Sequence, residues 1–368
     1  MFDRRLIQYF DWWLIGLTLA LGAVGFALIY SAVNAGDAAI QKALYGKQIV
    51  WFAIGMTAMV LTFIFNYRLM DQWGGVIYLI SIILLVFVLI NGKLVSGSRR
   101  WLEIGPLTIQ PSELVKISVI LILSKYYSKR ASIRGFTLKY LFIPMVIVFI
   151  PFLLIVKQPD LGTALLIVLI ASSITVYVKI ERKTMIWLIG SGAVLVSLAW
   201  FFLLKAYQKQ RILTFLDPDR DPLGTGYHII QSKIAIGSGM IFGKGFLKGT
   251  QNALSFLPEQ HTDFILSVLA EEWGFAGTGF VLILYMLLLV WGLNIAHGCR
   301  DTFGTILAVG ITAMLFWQVF INVGMVMGLM PVVGVPLPLI SYGGSSVVTS
   351  LIGIGLLMNI SMRRFMVE

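Results

Sequence analysis

The residues best placed to do chemistry lie in the segment 256–275, where a loop rich in glycine and in cations gives way to an apolar run. If this segment is helical, Asp263, Ser267 and Glu271 recur every four residues and form one polar stripe on an otherwise apolar surface. A carboxylate at a water–lipid boundary is costly to keep unless a charged or hydroxyl group meets it. We therefore expect a substrate hydroxyl to meet Asp263.

The acidic and basic residues together indicate which reaction such a carboxylate would serve. A single carboxylate surrounded by Arg and Lys suits a reaction that needs one base and releases an anionic group. Glycosyl transfer from a diphosphate-linked sugar is such a reaction, because the base takes a proton from the attacking hydroxyl while cations stabilise the departing diphosphate. Glycoside hydrolysis differs, since it commonly uses two carboxylates. An apolar protein body would supply the slot for a lipid tail.

Other charged residues lie close to predicted helix ends or in outer loops. Glu113 and Lys116 form an i, i+3 pair, which is either structural or faces a substrate. Asp160 is expected to cap the helix that follows it, where its carboxylate meets free N–H groups. Lys244 and Lys248 stand in a glycine-rich run, which either cradles a phosphate or is simply a flexible loop.

Several other kinds of site are excluded by residue type and spacing. The histidines His228, His261 and His297 are scattered and show no metal-ligand spacing, so we expect no metal site built from the protein alone. The aspartates of 217–221 do not fit a calcium loop, and no Gly-x-Ser-x-Gly motif indicates a serine hydrolase. The single cysteine, Cys299, is expected to be an inert thiol.

The composition requires that these residues be carried by a membrane protein. Of the 368 residues, 58% are hydrophobic and only 12% are charged, which is too apolar for an ordinary soluble surface. The net charge of +11 does not indicate nucleic acid, because the cations lie in short flanks and loops and no segment offers a groove-reading module.

The apolar runs predict an all-α, polytopic integral membrane protein with about ten transmembrane helices. The connection 93–110 is expected to be a loop, and Gly274 and Gly277 mark a possible break in the eighth span. The predicted spans are 12–34, 48–66, 75–91, 111–128, 139–156, 161–178, 184–206, 263–296, 304–330 and 339–362.

The distribution of Lys and Arg predicts the orientation. An even number of spans places both termini on one side, and most cations of the short loops lie on that side. The opposite short loops carry only Lys42, Lys47 and Lys157, so the termini are predicted to be cytoplasmic. Residues 1–368 are predicted to form a single transmembrane domain, with 207–262 as one large extracytoplasmic loop.

The last part of the chain contains an uncharged stretch at 331–346. We expect it to be a re-entrant connection beside the site, because non-helical backbone at membrane depth must be buried in protein or line a cavity. Gly324 and Gly328 are expected to serve close helix packing. Gln318 and Asn322, one helical turn apart, are expected to be interhelical hydrogen bonders rather than catalytic groups.

Several motifs, spread over most of the chain, together carry a specific resemblance to a known family. They are SRRWLEIG, IQPSELVK, QPDLGT, DPLGTGYHIIQSKIAIGSG, FLPEQHTDFILSVLAEEWG and PVVGVPLPLISYGGSS. The chain resembles the SEDS family, named for shape, elongation, division and sporulation. Within that family, GYHIIQSKIAIGSG and the uncharged stretch resemble the branch that acts in cell elongation rather than in division.

The resemblance implies a peptidoglycan glycosyltransferase that polymerises lipid II on the outer face of the bacterial plasma membrane. By motif match, Asp263 corresponds to the family's essential aspartate, the proposed base for the 4-hydroxyl of the attacking GlcNAc. Undecaprenyl diphosphate would leave, and inversion at the anomeric carbon of MurNAc would give a β-1,4 link. Arg100, Lys116 and Arg211 match polar positions of the family and are proposed to bind the diphosphate or to shape the cavity. The full set of proposed substrate-binding residues is Arg100, Glu113, Lys116, Arg211, Lys244, Glu259 and His261.

The resemblance also implies partners. They are a class B penicillin-binding protein that crosslinks the strands, other proteins of the elongation complex, the nascent glycan and the membrane, and they do not include nucleic acid. A divalent cation such as Mg²⁺ is expected only to assist at the diphosphate, because the sequence shows no dedicated set of ligands for it. Two alternatives stay open: a lipid II flippase, which would use the same apolar slot and charged mouth, and a non-enzymatic scaffold for wall synthesis.

Overall fold

The computed structural model shows a bundle of long helices with one small sheet. It describes residues 9–34, 39–95, 98–105, 107–130, 135–204, 206–217, 224–253 and 260–363. The helices in chain order are α1 (Trp12–Asn34), α2 (Ala39–Ile64), α3 (Tyr67–Asn91), α4 (Pro111–Ser128), α5 (Leu138–Lys157), α6 (Leu161–Tyr177), α7 (Arg182–Leu198, followed by a π-helical segment, Ala199–Leu203), α8 (Ala206–Leu216), α9 (Thr225–Ser238), α10 (Thr250–Ala253), α11 (Ile265–Gly298), α12 (Thr302–Val326) and α13 (Gly344–Arg363).

The all-α membrane fold is confirmed, and a helix overlaps each predicted span. Among the described residues, eight helices are long and apolar enough to cross a membrane. The two remaining predicted spans are α4, which carries Glu113, Lys116 and Lys125, and α6, which has 17 residues. Most side chains of α4 are buried, including those of Glu113 and Lys116, which therefore contact protein rather than lipid.

The centre of the bundle is formed by α4, α12 and α13, whose side chains are mostly buried. Helix α13 packs along α2. This close packing depends on glycine, because a Cβ on Gly344 would clash with the ring of Trp51 and one on Gly355 would clash with Thr62. Small residues at this interface therefore let the two helices approach each other.

Residues 93–110, expected to be a loop, contain a small antiparallel sheet. Its strands are β1 (Lys93–Val95), β2 (Ser98–Ile104) and β3 (Leu107–Ile109), in the order β1-β2-β3. Leu102 of β2 lies opposite Ile109 of β3. Pairing satisfies the main-chain N–H and C=O groups of this connection, which is the physical reason for the sheet.

Helix α11 is broken at Gly274, one of the two glycines expected to mark a break. Gly274 has φ of +68°, and the loop after α9 pairs with the chain on both sides of it. Lys244 N donates to Glu271 O at 3.0 Å, and Phe275 N donates to Met240 O at 2.8 Å. The loop therefore satisfies main-chain groups that the break removes from the helix.

The expected close packing through Gly324 and Gly328 is wrong. Helix α12 ends at Val326, and Gly328 has φ of +68°, so the two glycines do not share a helix face. The carbonyl of Gly324 accepts a hydrogen bond from Leu329 N at 2.7 Å. The two glycines instead end α12: Gly324 supplies the carbonyl acceptor, and Gly328 adopts the left-handed conformation that is usual for glycine after a helix.

Residues 331–343 form a non-helical connection between α12 and α13, as their sequence predicts. We call these residues the apolar segment. Val335, Leu337 and Ile340 are buried in it, and Pro338 O accepts a hydrogen bond from the Tyr285 hydroxyl of α11. The second part of the segment is therefore held inside the protein, while its first part, which includes the exposed Gly334, lies at the surface.

Candidate active site

Asp263 lies in a turn, residues 260–264, that immediately precedes α11, and its side chain is partly exposed. The expected single stripe is wrong, because the helix begins only after Asp263. Ser267 and Glu271 do lie on α11, but both are buried. The hydroxyl of Ser267 lies 2.8 Å from that of Ser232 on α9, so it contacts protein and not a substrate.

The carboxylate of Asp263 lies against the apolar segment. A Cβ on Gly334 would stand 3.1 Å from Oδ2 of Asp263, and Gly334 has φ of +73°. Both the space and the backbone conformation therefore favour glycine there. The main chain at Gly334 therefore covers one side of Asp263, while part of the Asp263 surface stays accessible.

Helix α8 brings Arg211 to the same segment. Nη1 of Arg211 donates to Val332 O at 3.3 Å. This bond occupies one of the five N–H donors of a guanidinium, whose planar fork also suits a phosphate group. Arg211 and Asp263 thus contact the same short part of the apolar segment, at Val332 and Gly334.

Strand β2 places Arg100 over the N-terminus of α6. Nε of Arg100 donates to Gln158 O at 3.0 Å, and the guanidinium also bonds to Pro159 O. Its Nη1 lies 4.0 Å from the carboxylate of Asp160, and 30% of the Arg100 side chain is exposed. Asp160 caps α6 as predicted, because it accepts a hydrogen bond from Thr163 N at 3.3 Å. Arg100 is therefore anchored and still accessible.

Two residues that sequence reasoning missed, Gln110 and Ser345, connect this corner to α4 and α13. Nε2 of Gln110 donates to Oδ2 of Asp160 at 3.0 Å. The main-chain N of Gln110 donates to Oγ of Ser345 at 2.9 Å. The available signal was their position at helix starts, since Gln110 precedes Pro111 and Ser345 follows Gly344.

Four helices begin at one level of the molecule. The bonds just described join the starts of α4, α6 and α13, and the turn before α11 is joined to the same region by the bond from Tyr342 N to His261 O, at 2.8 Å. Helix N-termini carry partial positive charge. Together with Arg100 and Arg211, they make this end of the bundle favourable for an anion.

Glu113 and Lys116 form the expected ion pair inside α4. Nζ of Lys116 lies 2.8 Å from Oε2 and 2.9 Å from Oε1 of Glu113. The side chain of Lys116 is 0% exposed and that of Glu113 is 5% exposed. The pair is closed off from solvent, so contact with a substrate would require α4 to move.

Lys244 belongs to a different cluster, centred on Glu271. Its Nζ lies 2.6 Å from Oε1 of Glu271, and the same oxygen accepts bonds from Thr250 N at 2.8 Å and Gln251 N at 3.1 Å. Glu271 lies six residues into α11 from its first residue, Ile265, which is about 9 Å along the helix and away from the turn with Asp263. Lys244 therefore holds the loop and α10 to α11, and the structure does not bring it to Asp263.

One of the last two proposed binding residues, His261, lies in the turn itself. His261 is partly exposed, and its ring centroid lies 5.7 Å from that of Tyr342. His261 and Asp263 share the turn, and both are partly exposed. Glu259 lies outside the described residues, so its role stays a prediction.

The described part of the chain contains no group of three or more His, Cys, Asp or Glu side chains that could hold a metal ion. Mg²⁺ commonly takes one or two carboxylates together with phosphate oxygens and water. A divalent cation at the diphosphate would thus depend on the substrate for most of its ligands.

Comparison with known proteins gives one consistent result. Residues 11–365 match the FtsW/RodA/SpoVE model, described as a cell cycle protein. The peptidoglycan glycosyltransferase MrdB of Escherichia coli (strain K12) is 44% identical over 346 residues, which cover 93% of this chain and 92% of that protein. The peptidoglycan glycosyltransferase RodA of Treponema pallidum (strain Nichols) is 34% identical, with 98% and 99% covered.

A solved structure gives the same result for the fold. It is described as the structural coordination of polymerization and crosslinking by a peptidoglycan synthase complex. One of its chains is similar to this one with a TM-score of 0.82 and 34% identity, covering 97% of this chain and 98% of that one. The protein therefore belongs to the FtsW/RodA/SpoVE family, which is the SEDS family that its motifs resemble.

Proposed function

We propose that this membrane protein is a peptidoglycan glycosyltransferase that polymerises lipid II, the activity class named for its relatives. The observation that carries the proposal is the position of Asp263. It is a partly exposed carboxylate at the level where four helices begin and where Arg100 and Arg211 are held. One base with electropositive surroundings is what glycosyl transfer from a lipid diphosphate needs.

In the proposed reaction, the carboxylate of Asp263 accepts the proton of a GlcNAc 4-hydroxyl. The oxygen of that hydroxyl forms a bond to the anomeric carbon of MurNAc, while the bond from this carbon to the diphosphate oxygen breaks. The electron pair of the broken bond leaves with the diphosphate, so undecaprenyl diphosphate is released. Attack opposite the leaving group inverts the carbon and gives a β-1,4 link.

The other site residues divide by what they contact and by whether they are accessible. Arg100 and Arg211 are assigned to the diphosphate, whose departing charge a guanidinium stabilises without donating a proton. His261 is assigned to the saccharide. The buried pair in α4 and the Lys244 cluster are assigned a supporting role, since they hold a helix and a loop in place.

We also propose that the protein acts with a class B penicillin-binding protein in the elongation machinery. A similar chain belongs to a complex described as coordinating polymerization and crosslinking, which supports such a partner. The predicted orientation places Asp263 on the outer face of the bacterial plasma membrane, because α11 runs from the turn with Asp263 to the opposite end of the bundle.

The substitution Asp263→Asn tests the base directly. In purified full-length protein reconstituted with its penicillin-binding partner and lipid II, we expect polymerisation to fall by about 10²- to 10⁴-fold, the usual contribution of a general base. The measurement is the rate at which glycan strands lengthen, followed by gel electrophoresis of labelled lipid II.

Asp217→Asn is the matched control, because it makes the same change at an exposed acid at the end of α8. It should polymerise like the wild-type protein. Strand growth at the wild-type rate by Asp263→Asn would contradict the proposal and would favour a lipid II transporter or a scaffold.

A further inference from the structure

We propose that Asn322 and Ser341 are positioning residues for the base. They hold the main chain of the turn 260–264 so that the carboxylate of Asp263 stays in place for proton transfer. This inference rests on the proposed function, since it concerns the same carboxylate. The sequence alone predicts that Asn322 joins helices, but its contacts lie in the site instead.

Three consecutive main-chain carbonyl groups of the turn each accept a hydrogen bond from a residue outside it. All three donors belong to α12 or to the apolar segment, so the turn is fixed to one frame at successive points. The bonds run from Tyr342 N to His261 O (2.8 Å), from Ser341 Oγ to Thr262 O (2.6 Å) and from Asn322 Nδ2 to Asp263 O (3.0 Å).

Asn322 joins the turn, the apolar segment and α12 through one amide group. Its side chain is fully buried, and Nδ2 donates to Asp263 O at 3.0 Å and to Val335 O at 2.8 Å. Main-chain carbonyls only accept hydrogen bonds, so the amide nitrogen and not the oxygen must face them. The two N–H groups of Asn322 therefore match two acceptors, one on Asp263 itself and one on Val335, the residue after Gly334.

Ser341 makes a similar connection with a hydroxyl group. Its Oγ donates to Thr262 O at 2.6 Å and accepts a bond from Leu337 N at 2.9 Å. The hydroxyl thus closes the apolar segment on itself and ties it to the residue before Asp263. Ser341 is buried, so water does not replace it readily.

The turn needs these donors because it has little regular structure of its own. Phe264, the residue before α11, makes no side-chain capping bond. Buried carbonyl groups without partners are strongly disfavoured, so the conformation of the turn follows from the donors that surround it. A displacement of about 1 Å at a reacting group costs about 10²-fold in rate, which is the scale of effect that such donors control.

Gln318 provides a matched control for Asn322. It lies one turn away on α12, its side chain is also fully buried, and neither amide atom bonds to another described residue. Replacing either amide by leucine removes the same chemical group from the same helix. Only the change at Asn322 removes a bond to the turn.

The experiment compares Asn322→Leu, Gln318→Leu and Asp263→Asn in full-length protein reconstituted with its penicillin-binding partner and lipid II. For Asn322→Leu we expect kcat to fall at least about tenfold, with KM for lipid II within about twofold of wild type, because the base is misplaced while the substrate site is kept. Gln318→Leu should keep the wild-type kcat. Asn322→Gln, which retains an amide, should recover part of the lost kcat.

Ser341→Ala is the second, independent test and should lower kcat in the same way. If Asn322→Leu does not elute as a folded, partner-bound protein, the kcat of Ser341→Ala tests the positioning role on its own. The inference would be overturned if Asn322→Leu and Ser341→Ala both kept the wild-type kcat, or if only their KM for lipid II changed. An equal fall in the kcat of Gln318→Leu would also overturn it. Because Asp263→Asn is measured in parallel, an active Asp263→Asn would instead overturn the proposed function.

Discussion

At the residue scale, the position of the base depends on a glycine. Gly334 has φ of +73°, and a Cβ there would stand 3.1 Å from Oδ2 of Asp263. We predict that Gly334→Ala lowers polymerisation at least about tenfold, because the methyl group displaces the carboxylate from its position for proton transfer. The rate of strand growth measures this effect, and the midpoint of thermal unfolding measures any loss of stability.

Gly105 provides the control for backbone strain. It has φ of +63°, and a Cβ there would meet nothing within 4 Å. Gly105→Ala therefore carries the same left-handed cost of about 1–2 kcal/mol without crowding the site. It should polymerise normally. An equal loss of activity in both variants would mean that strain, and not the space beside Asp263, explains the effect.

Contacts between near neighbours in sequence could be predicted, whereas the surroundings of the base could not. Glu113 and Lys116 are three residues apart, so helical geometry alone predicts their ion pair. The turn with Asp263 bonds to Asn322 and Ser341 across separations of 59 and 79 residues. No spacing rule connects residues so far apart, because their contact follows from how α11, α12 and the apolar segment pack.

At the element scale, long apolar runs predicted the helices well, including the bounds of α1 and α4, while the short strands and the start of α11 were missed. Strands β1 and β3 have three residues each, too few to show a period, and they exist because they pair with β2. The start of α11 was also misplaced, since Phe264 at its N-cap carries no capping side chain. This shift separates Asp263 from the polar groups of the helix.

The buried pair of α4 gives a prediction for that element. Glu113→Gln leaves the charge of Lys116 buried without its partner, so we expect a loss of about 3–5 kcal/mol in the free energy of unfolding. Combining Glu113→Gln with Lys116→Met removes both charges and should recover most of that loss. Thermal unfolding of the two variants in the same detergent or nanodisc measures the difference.

The activity of the double variant then separates the two roles that the sequence leaves open. A stable double variant that polymerises lipid II shows that the pair supports α4. A stable but inactive one shows that α4 moves and that the charges meet the substrate. If Glu113→Gln is as stable as the wild-type protein, the pair does not hold α4 at all.

At the scale of the whole molecule, α11 separates the base from the only thiol. The chain runs from the turn with Asp263 to Cys299, and beyond the break at Gly274 the residues from Phe275 to Gly298 form about 36 Å of helix, more than the apolar thickness of a bilayer. Composition and loop charge predict which end faces the cytoplasm. Cys299 is free and partly buried, and burial raises the pKa of its thiol.

We predict that a membrane-impermeant maleimide reaches Cys299 only from the cytoplasmic side. Because the thiolate is the reactive form and the pKa is raised, labelling should be slow at neutral pH and faster as the pH increases. In sealed right-side-out vesicles, the wild-type protein should stay unlabelled until the membrane is permeabilised. A variant with Cys299→Ser and Asp217→Cys should be labelled in intact vesicles. Labelling of Cys299 in intact right-side-out vesicles would invert the predicted orientation and would place Asp263 on the cytoplasmic side, where no glycan strand grows.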